Sequence, residues 1–237
     1  MEYLYEKLTA YGNSDYYAFH MPGHKRQMDF EILRDFPNPF SIDITEIDGF
    51  DNLHHAEGIL LEAQQRAAQT FGADESFFLV NGSTAGLLAA VCGTVKKGGR
   101  LLMARNCHKA VYHAVYLMEL QTEYLYPEQT EFGIQGSIAP EEVQRMLEQY
   151  PDTQAVLLTS PTYDGVVSDI AAIAEIVHAH QIPLIVDEAH GAHFGFSERF
   201  PKKAISYGAD LCIESVHKTL PAYTQTALLH YRKNPWV

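Results

Sequence analysis

Lys218 stands in the segment Ser215-Val216-His217-Lys218-Thr219-Leu220, just after the apolar run Leu211-Cys212-Ile213. A primary amine in such a place is an imine-forming nucleophile when its surroundings favour the neutral form or an aldehyde captures it. An isolated lysine there would only be a charge reaching for water. Three other groups accompany this one. Asp187 closes the run Leu184-Ile185-Val186 and opens Asp187-Glu188-Ala189-His190. Gly82-Ser83-Thr84 starts an apolar helical pattern, and His108 stands in Asn106-Cys107-His108-Lys109.

Together these residues meet the demands of pyridoxal phosphate, an aldehyde cofactor with a phosphate arm and a pyridine ring. Free backbone N–H groups at the turn Gly82-Ser83-Thr84, reinforced by the helix dipole, favour the phosphate. Ser215 and His217 are expected to add hydrogen bonds from the far side. Asp187 is expected to pair with the ring nitrogen, and His108 to stack on the ring. Two rival readings fall short. Asp-Glu-Ala-His resembles the acidic motif of a helicase, but the chain has no Gly-x-x-x-x-Gly-Lys-Ser/Thr loop to accompany it. A metal site drawn from His20, His24, His54, His55, Asp187, Glu188, His190 and His193 matches no zinc-ligand spacing. His178, His180 and His230 read as surface or hydrogen-bonded core histidines.

These residues need elements to position them. From Glu57 onward, helical segments alternate with short apolar runs. Strands are expected at Phe77 to Val80, Arg100 to Ala104, Glu123 to Tyr126, Ala155 to Thr159, Leu184 to Val186, Leu211 to Ile213 and Ala227 to Tyr231. Helices are expected at Glu57 to Phe71 (closed by Gly72), Thr84 to Lys97, His108 to Leu120 and Pro140 to Gln149. Another carries Ile170, Ile173, Ile176 and Val177 and is capped by Ser168 or Asp169. Such alternation implies a three-layer α/β/α fold around a mostly parallel sheet of about seven strands. Ligands sit at the carboxyl ends of such strands, where every polar cluster above falls. Ser160-Pro161-Thr162-Tyr163 occupies another of those ends. The first fifty or so residues, with Pro22, Pro37 and Pro39, read as irregular.

Composition narrows the classes further. The chain has 237 residues, of which 46% are hydrophobic, enough for one sizeable core and too apolar for disorder. A net charge of −13 speaks against nucleic acid and is compatible with cationic small molecules. Cys92, Cys107 and Cys212 form no Cys-x-x-Cys pair and fit a reducing compartment, the cytoplasm. No apolar run spans a bilayer, and Met1 to Lys7 does not read as a signal peptide.

The ordered set of motifs resembles the bacterial ornithine/lysine/arginine decarboxylase family of fold-type I pyridoxal-phosphate enzymes. The segments are Phe19 to Lys25, Asp43-Ile44-Thr45-Glu46, Asp51-Asn52-Leu53-His54-His55, Val80 to Thr84, Arg105 to Lys109, Ser160 to Gly165, Val186 to His193 and Ser215 to Leu220. The resemblance implies an aspartate-aminotransferase-like large domain and the roles of its residues. Lys218 corresponds to the lysine of the internal aldimine, Asp187 to the partner of the ring nitrogen, and His108 to the stacked imidazole. Ala189 corresponds to the small residue on the opposite ring face. Ser83, Thr84, Ser215 and His217 resemble the phosphate contacts, and His190 and Thr162 lie near the cofactor. Two departures from the family pattern are Ala56, where many relatives have proline, and Ala110, where many have serine.

The activity implied is decarboxylation of lysine, arginine or ornithine, in polyamine metabolism, by a homodimer or higher oligomer. Residues 1–56 are expected to form an irregular segment contributing to the active site and dimer contacts, and residues 57–237 the cofactor-binding large domain. Family members continue beyond Val237 into a carboxyl-terminal domain, so a separate chain supplying that part is one expectation. A cofactor-binding remnant without activity of its own is another, and a different pyridoxal-phosphate reaction such as transamination a third.

Overall fold

In the run Arg100–Ala104, Leu101 and Met103 point to one face and Leu102 and Ala104 to the other, and all four are fully buried. A strand of this kind must be covered on both sides. A computed structural model of the chain describes residues 9–25, 41 and 43–237 and shows that arrangement. Met1 to Lys7, Pro37 and Pro39 lie outside the described residues.

The described strands are β1 (Glu75–Leu79), β2 (Arg100–Ala104), β3 (Gln121–Leu125), β4 (Thr153–Thr159), β5 (Leu184–Asp187), β6 (Leu211–Glu214) and β7 (Ala227–Tyr231). They form one sheet in the order β1-β7-β6-β5-β4-β2-β3. β7 runs antiparallel to both β1 and β6, and every other pairing is parallel. β1 and β6 therefore point the same way, and the carboxyl ends of six strands share one edge.

The helices are α1 (Ile59–Phe71), α2 (Gly82–Thr94), α3 (Lys109–Met118), α4 (Pro140–Gln149), α5 (Ile170–Ala179) and the one-turn α6 (Val216–Thr219). Leu87, Val91 and Val111 of α2 and α3 pack with Leu101, Leu157 and Ile185 on one face. Val143, Leu147, Ile173 and Val177 of α4 and α5 pack with Leu102, Val156 and Val186 on the other. The three-layer α/β/α architecture follows from those two apolar stripes.

Local signals set the helix boundaries. Gly72 closes α1 in the left-handed region at φ +75°, and its N–H bonds to the Ala68 carbonyl. Asp169 caps α5 by accepting from Ala172 N–H, whereas Ser168 accepts from Ile138 N–H. Asp51 ties down the approach to α1: its carboxylate accepts the N–H groups of Asn52, Glu57, Gly58 and Leu60. Residues 9–12 are helical, where the sequence reads as irregular.

β1, β3 and β4 each begin two residues before the expected start, and two further differences have a clear cause. α2 begins at Gly82 rather than Thr84, because Asn81 and Gly82 already turn into the helix. The β5–β6 connection carries only the 3-10 turn Ala204–Tyr207 instead of a full helix. Gly191, Gly195 and Pro201 interrupt that stretch. The buried Lys203 amine then anchors it, donating to Ala192 O and to Glu214 Oε1, each at 3.0 Å.

Candidate active site

The shared edge of the sheet opens into a cavity of about 410 Å³. The turn after β1 brings Ser83 and Thr84, the loop after β2 brings His108, β5 brings Asp187 and, just beyond it, Ala189 and His190. The segment after β6 brings Ser215, His217 and Lys218. Nine of the ten residues placed at the cofactor from the sequence line this one cavity. Thr162 does not: it closes its own turn, its hydroxyl accepting from Val166 N–H at 3.1 Å.

One wall of the cavity is suited to an anion. Asn81 places no side-chain hydrogen bond on the start of α2, so the first-turn N–H groups remain for a ligand. Gly82 enters that turn at φ +68°, a conformation that favours glycine. The hydroxyls of Ser83 and Ser215 meet at 2.5 Å and join the two sides of this wall. His217 Nδ1 donates to the Thr226 carbonyl at 3.1 Å, which fixes the ring and leaves Nε2 for a ligand.

The opposite wall carries the acid and base groups. Asp187 is buried, and Oδ1 accepts from Ala189 N–H at 3.1 Å. Burial pushes its carboxyl up to about 6, against the pull of that N–H and of the Lys218 charge. Oδ2 makes no hydrogen bond among the described residues, so it remains for a cationic partner. Lys218 is half-buried, and burial lowers the pKa of its amine while Asp187 opposes the shift. Its Nζ lies 3.0 Å from His190 Nε2. Burial first, then Lys218, His108 and His217, bring the His190 imidazole down to about 4. His108 caps α3, with Nδ1 accepting from Ala110 N–H at 3.2 Å. Burial and the neighbouring Lys218, Lys109 and His113 lower its pKa. Because the contact at position 110 is made by the backbone, the alanine preserves it.

Asn81, Asn106, Thr159, Tyr163, Thr224 and Gln225 also line the cavity. Asn106 and Tyr163 sit in strand-end clusters visible in the sequence, whereas Thr224 and Gln225 carry no signal there. Asn106 Oδ1 and Thr159 Oγ1 are buried and find no hydrogen-bond partner among the described residues. A buried polar atom left unpaired costs about 1–3 kcal/mol, so these two oxygens fit a cavity built to hold a polar occupant. With the unbonded Asp187 oxygen and the anion-ready turn at α2, the residues present fit pyridoxal phosphate.

Known proteins resemble this chain in sequence and in fold. The sequence profile described as "Orn/Lys/Arg decarboxylase, major domain" matches residues 3–237. The protein YaaO of Bacillus subtilis is 41% identical over 230 residues, covering 96% of this chain and 48% of YaaO. The arginine decarboxylase of the same organism is 37% identical over 235 residues, 97% of this chain and 48% of that protein. The chain thus spans about half the length of the curated relatives it matches. The solved Escherichia coli constitutive lysine decarboxylase superimposes with a TM-score of 0.67 at 24% identity, over 98% of this chain and 36% of that one, which shows a common fold. A profile match across nearly all residues, with relatives at this level of identity, establishes that the chain belongs to the Orn/Lys/Arg decarboxylase family through its major domain.

Proposed function

We propose that the chain carries out pyridoxal-phosphate-dependent decarboxylation of a basic amino acid, lysine, arginine or ornithine, with Lys218 as the amine that holds the cofactor. The observation that carries this reading is the convergence of Lys218, Asp187, His108 and the uncapped start of α2 on one cavity. Relatives named arginine decarboxylase and lysine decarboxylase support the substrate class.

Pyridoxal phosphate, when bound, supplies an aldehyde for the lysine amine and a ring that accepts the electron pair of the breaking bond. The protein's part is to hold and polarise. The first turn of α2, with Ser83, Thr84 and Ser215, would bind the phosphate, and His217 would support it from α6. Asp187 Oδ2 would hold a proton at the ring nitrogen, where a cationic partner returns the buried carboxyl to its ionised form. The uncharged His108 ring would lie against one face and Ala189 against the other.

Assembly as a homodimer or higher oligomer is part of the same reading. Tyr163, 79% exposed, together with the exposed Phe19, Phe132 and Tyr223, supports it, as such an apolar surface gains from cover by a second subunit. The segment 1–56 would contribute there. Gly23 N–H already bonds to His217 O at 2.8 Å, one residue from Lys218. Three free thiols support a cytoplasmic setting. Among the described residues, no helix is long and apolar enough to cross a membrane.

Absorbance tests the core of the reading. Titrating the purified chain with pyridoxal phosphate should produce a visible band that Lys218→Ala abolishes, and carbon dioxide should be released on adding lysine, arginine or ornithine. A band of equal strength in Lys218→Ala would refute the role of the lysine. A full band with no gas from any of the three substrates would refute decarboxylation.

A further inference from the structure

The hydrogen bond between Lys218 Nζ and His190 Nε2 has a direction fixed by chemistry. At neutral pH the lysine is the donor, since an ammonium has only N–H groups to offer, and the imidazole accepts through an unprotonated Nε2. His190 is held for this task. It follows β5 by three residues, is half-buried, and packs edge-on against Tyr163 with ring centroids 5.4 Å apart. Among the described residues it is the hydrogen-bond partner of the lysine amine.

We propose that His190 is the proton acceptor that converts the Lys218 ammonium into the reactive amine. The Nζ–H bond breaks with its electron pair left on Nζ, and the Nε2 lone pair of His190 forms the new N–H bond. The lone pair of the neutral amine then forms a bond to an aldehyde carbon, and one of its two N–H protons passes to the aldehyde oxygen. His190 returns its proton to the same oxygen, the C–O bond breaks to release water, and the nitrogen is left as a protonated imine, so protons, charge and electrons balance. This inference rests on the pyridoxal-phosphate reading, because it concerns how Lys218 engages that aldehyde.

The surroundings bear on both partners. Burial makes the Lys218 ammonium easier to deprotonate, and the Asp187 carboxyl from β5 opposes that shift. The groups nearest His190 are Lys218, His108 before α3 and His217 on α6, and Lys109 and His113 stand beside His108. Lys218 is itself among the causes of the weakened basicity of His190. Once the amine gives up its proton that repulsion vanishes, so the transfer makes His190 a better holder of the proton it has just received.

The test measures how fast Lys218 condenses with an aldehyde in the cofactor-free full chain, by cyanoborohydride trapping and mass spectrometry of its peptide. Two aldehydes are compared, pyridoxal phosphate and salicylaldehyde, the latter lacking phosphate and ring nitrogen. With His190 in place, the rate should be nearly independent of pH between about 6 and about 8, because the ammonium and its base react as a pair. In His190→Gln, which keeps an acceptor but cannot carry the proton, the rate should drop tenfold or more for both aldehydes. It should then rise about tenfold per pH unit. Added imidazole should restore the rate in His190→Ala, and the exposed Lys96 and Lys97 should trap equally in all variants. If His190→Gln is unfolded by circular dichroism, His190→Asn takes its place. Wild-type rate and pH profile in the amide variant, with both aldehydes, would overturn the assignment. Failure of the cofactor reading has a different signature: wild-type Lys218 would trap pyridoxal phosphate no faster than salicylaldehyde.

Discussion

Asp187 carries two separable consequences. Its carboxyl is raised by burial to about 6, so the folded chain binds this proton more tightly than the unfolded chain. The stability gained is complete below the ordinary aspartate value and is lost as pH rises through about 6. Thermal melts of the cofactor-free chain should therefore show stability falling by roughly 3 kcal/mol between about pH 4 and about pH 6. Asp187→Asn should flatten that window. The same variant should keep the visible cofactor band yet lose at least about a hundredfold in turnover, the scale expected when a charge-stabilising partner is removed. Residue types exposed much of this in the sequence, since Lys218, Asp187 and His108 each follow an apolar run within a few residues. Thr159 and Gln225 were opaque: Thr159 reads as the last residue of a buried strand, and Gln225 reaches the cavity only through a left-handed turn at φ +78°.

At the scale of elements, two contacts keep the site in register. Gly86 lets α2 lie on the sheet: an added Cβ would stand 2.6 Å from Leu79 Cδ1 and 3.1 Å from Ile213 Cγ2. Gly86→Ala should cost about 1–3 kcal/mol by overpacking. It should also weaken pyridoxal phosphate binding several-fold, because the first turn of α2 moves with the helix. Denaturant melts and a cofactor titration read the two effects. Beneath the opposite face, Glu188 Oε1 accepts from Ala204 N–H at 2.9 Å and Oε2 from the Cys212 thiol at 3.2 Å. Burial and the Glu214 carboxylate push the Glu188 carboxyl well above its usual range, which favours its neutral form, while Glu214 pairs with Lys203 at 3.0 Å. Glu188→Gln, neutral and of equal size, should change stability by less than about 1 kcal/mol, whereas Glu188→Ala should cost about 2–4 kcal/mol. Helix and strand positions were legible from their periods. The single 3-10 turn between β5 and β6 was not, because a buried lysine that anchors a loop is indistinguishable in sequence from a surface one.

For the whole molecule, the excess of acidic residues gives a net charge of −13 and sets opposite salt dependences for the two ligands. Association of the anionic cofactor should speed up roughly threefold or more between about 10 and about 150 mM salt, and capture of a cationic amino acid should slow over the same range. Stopped-flow absorbance measures both, and equal trends would sink the electrostatic account. The layered architecture could be inferred from apolar runs, but the reversed direction of β7 could not, since Ala227-Leu228-Leu229-His230-Tyr231 reads the same either way. That reversal governs the order of synthesis. Among the described residues β7 is the only strand that pairs with β1, and β1 leads into the turn that carries Ser83. A growing chain can assemble β2, β3, β4 and β5 early, but β1 has no place in the sheet until residues 227–231 arrive to bridge it to β6. The Ser83–Ser215 contact spans 132 residues and closes late for the same reason. Cofactor capture during translation would consequently report a finished sheet, and could not serve as the seed around which one forms.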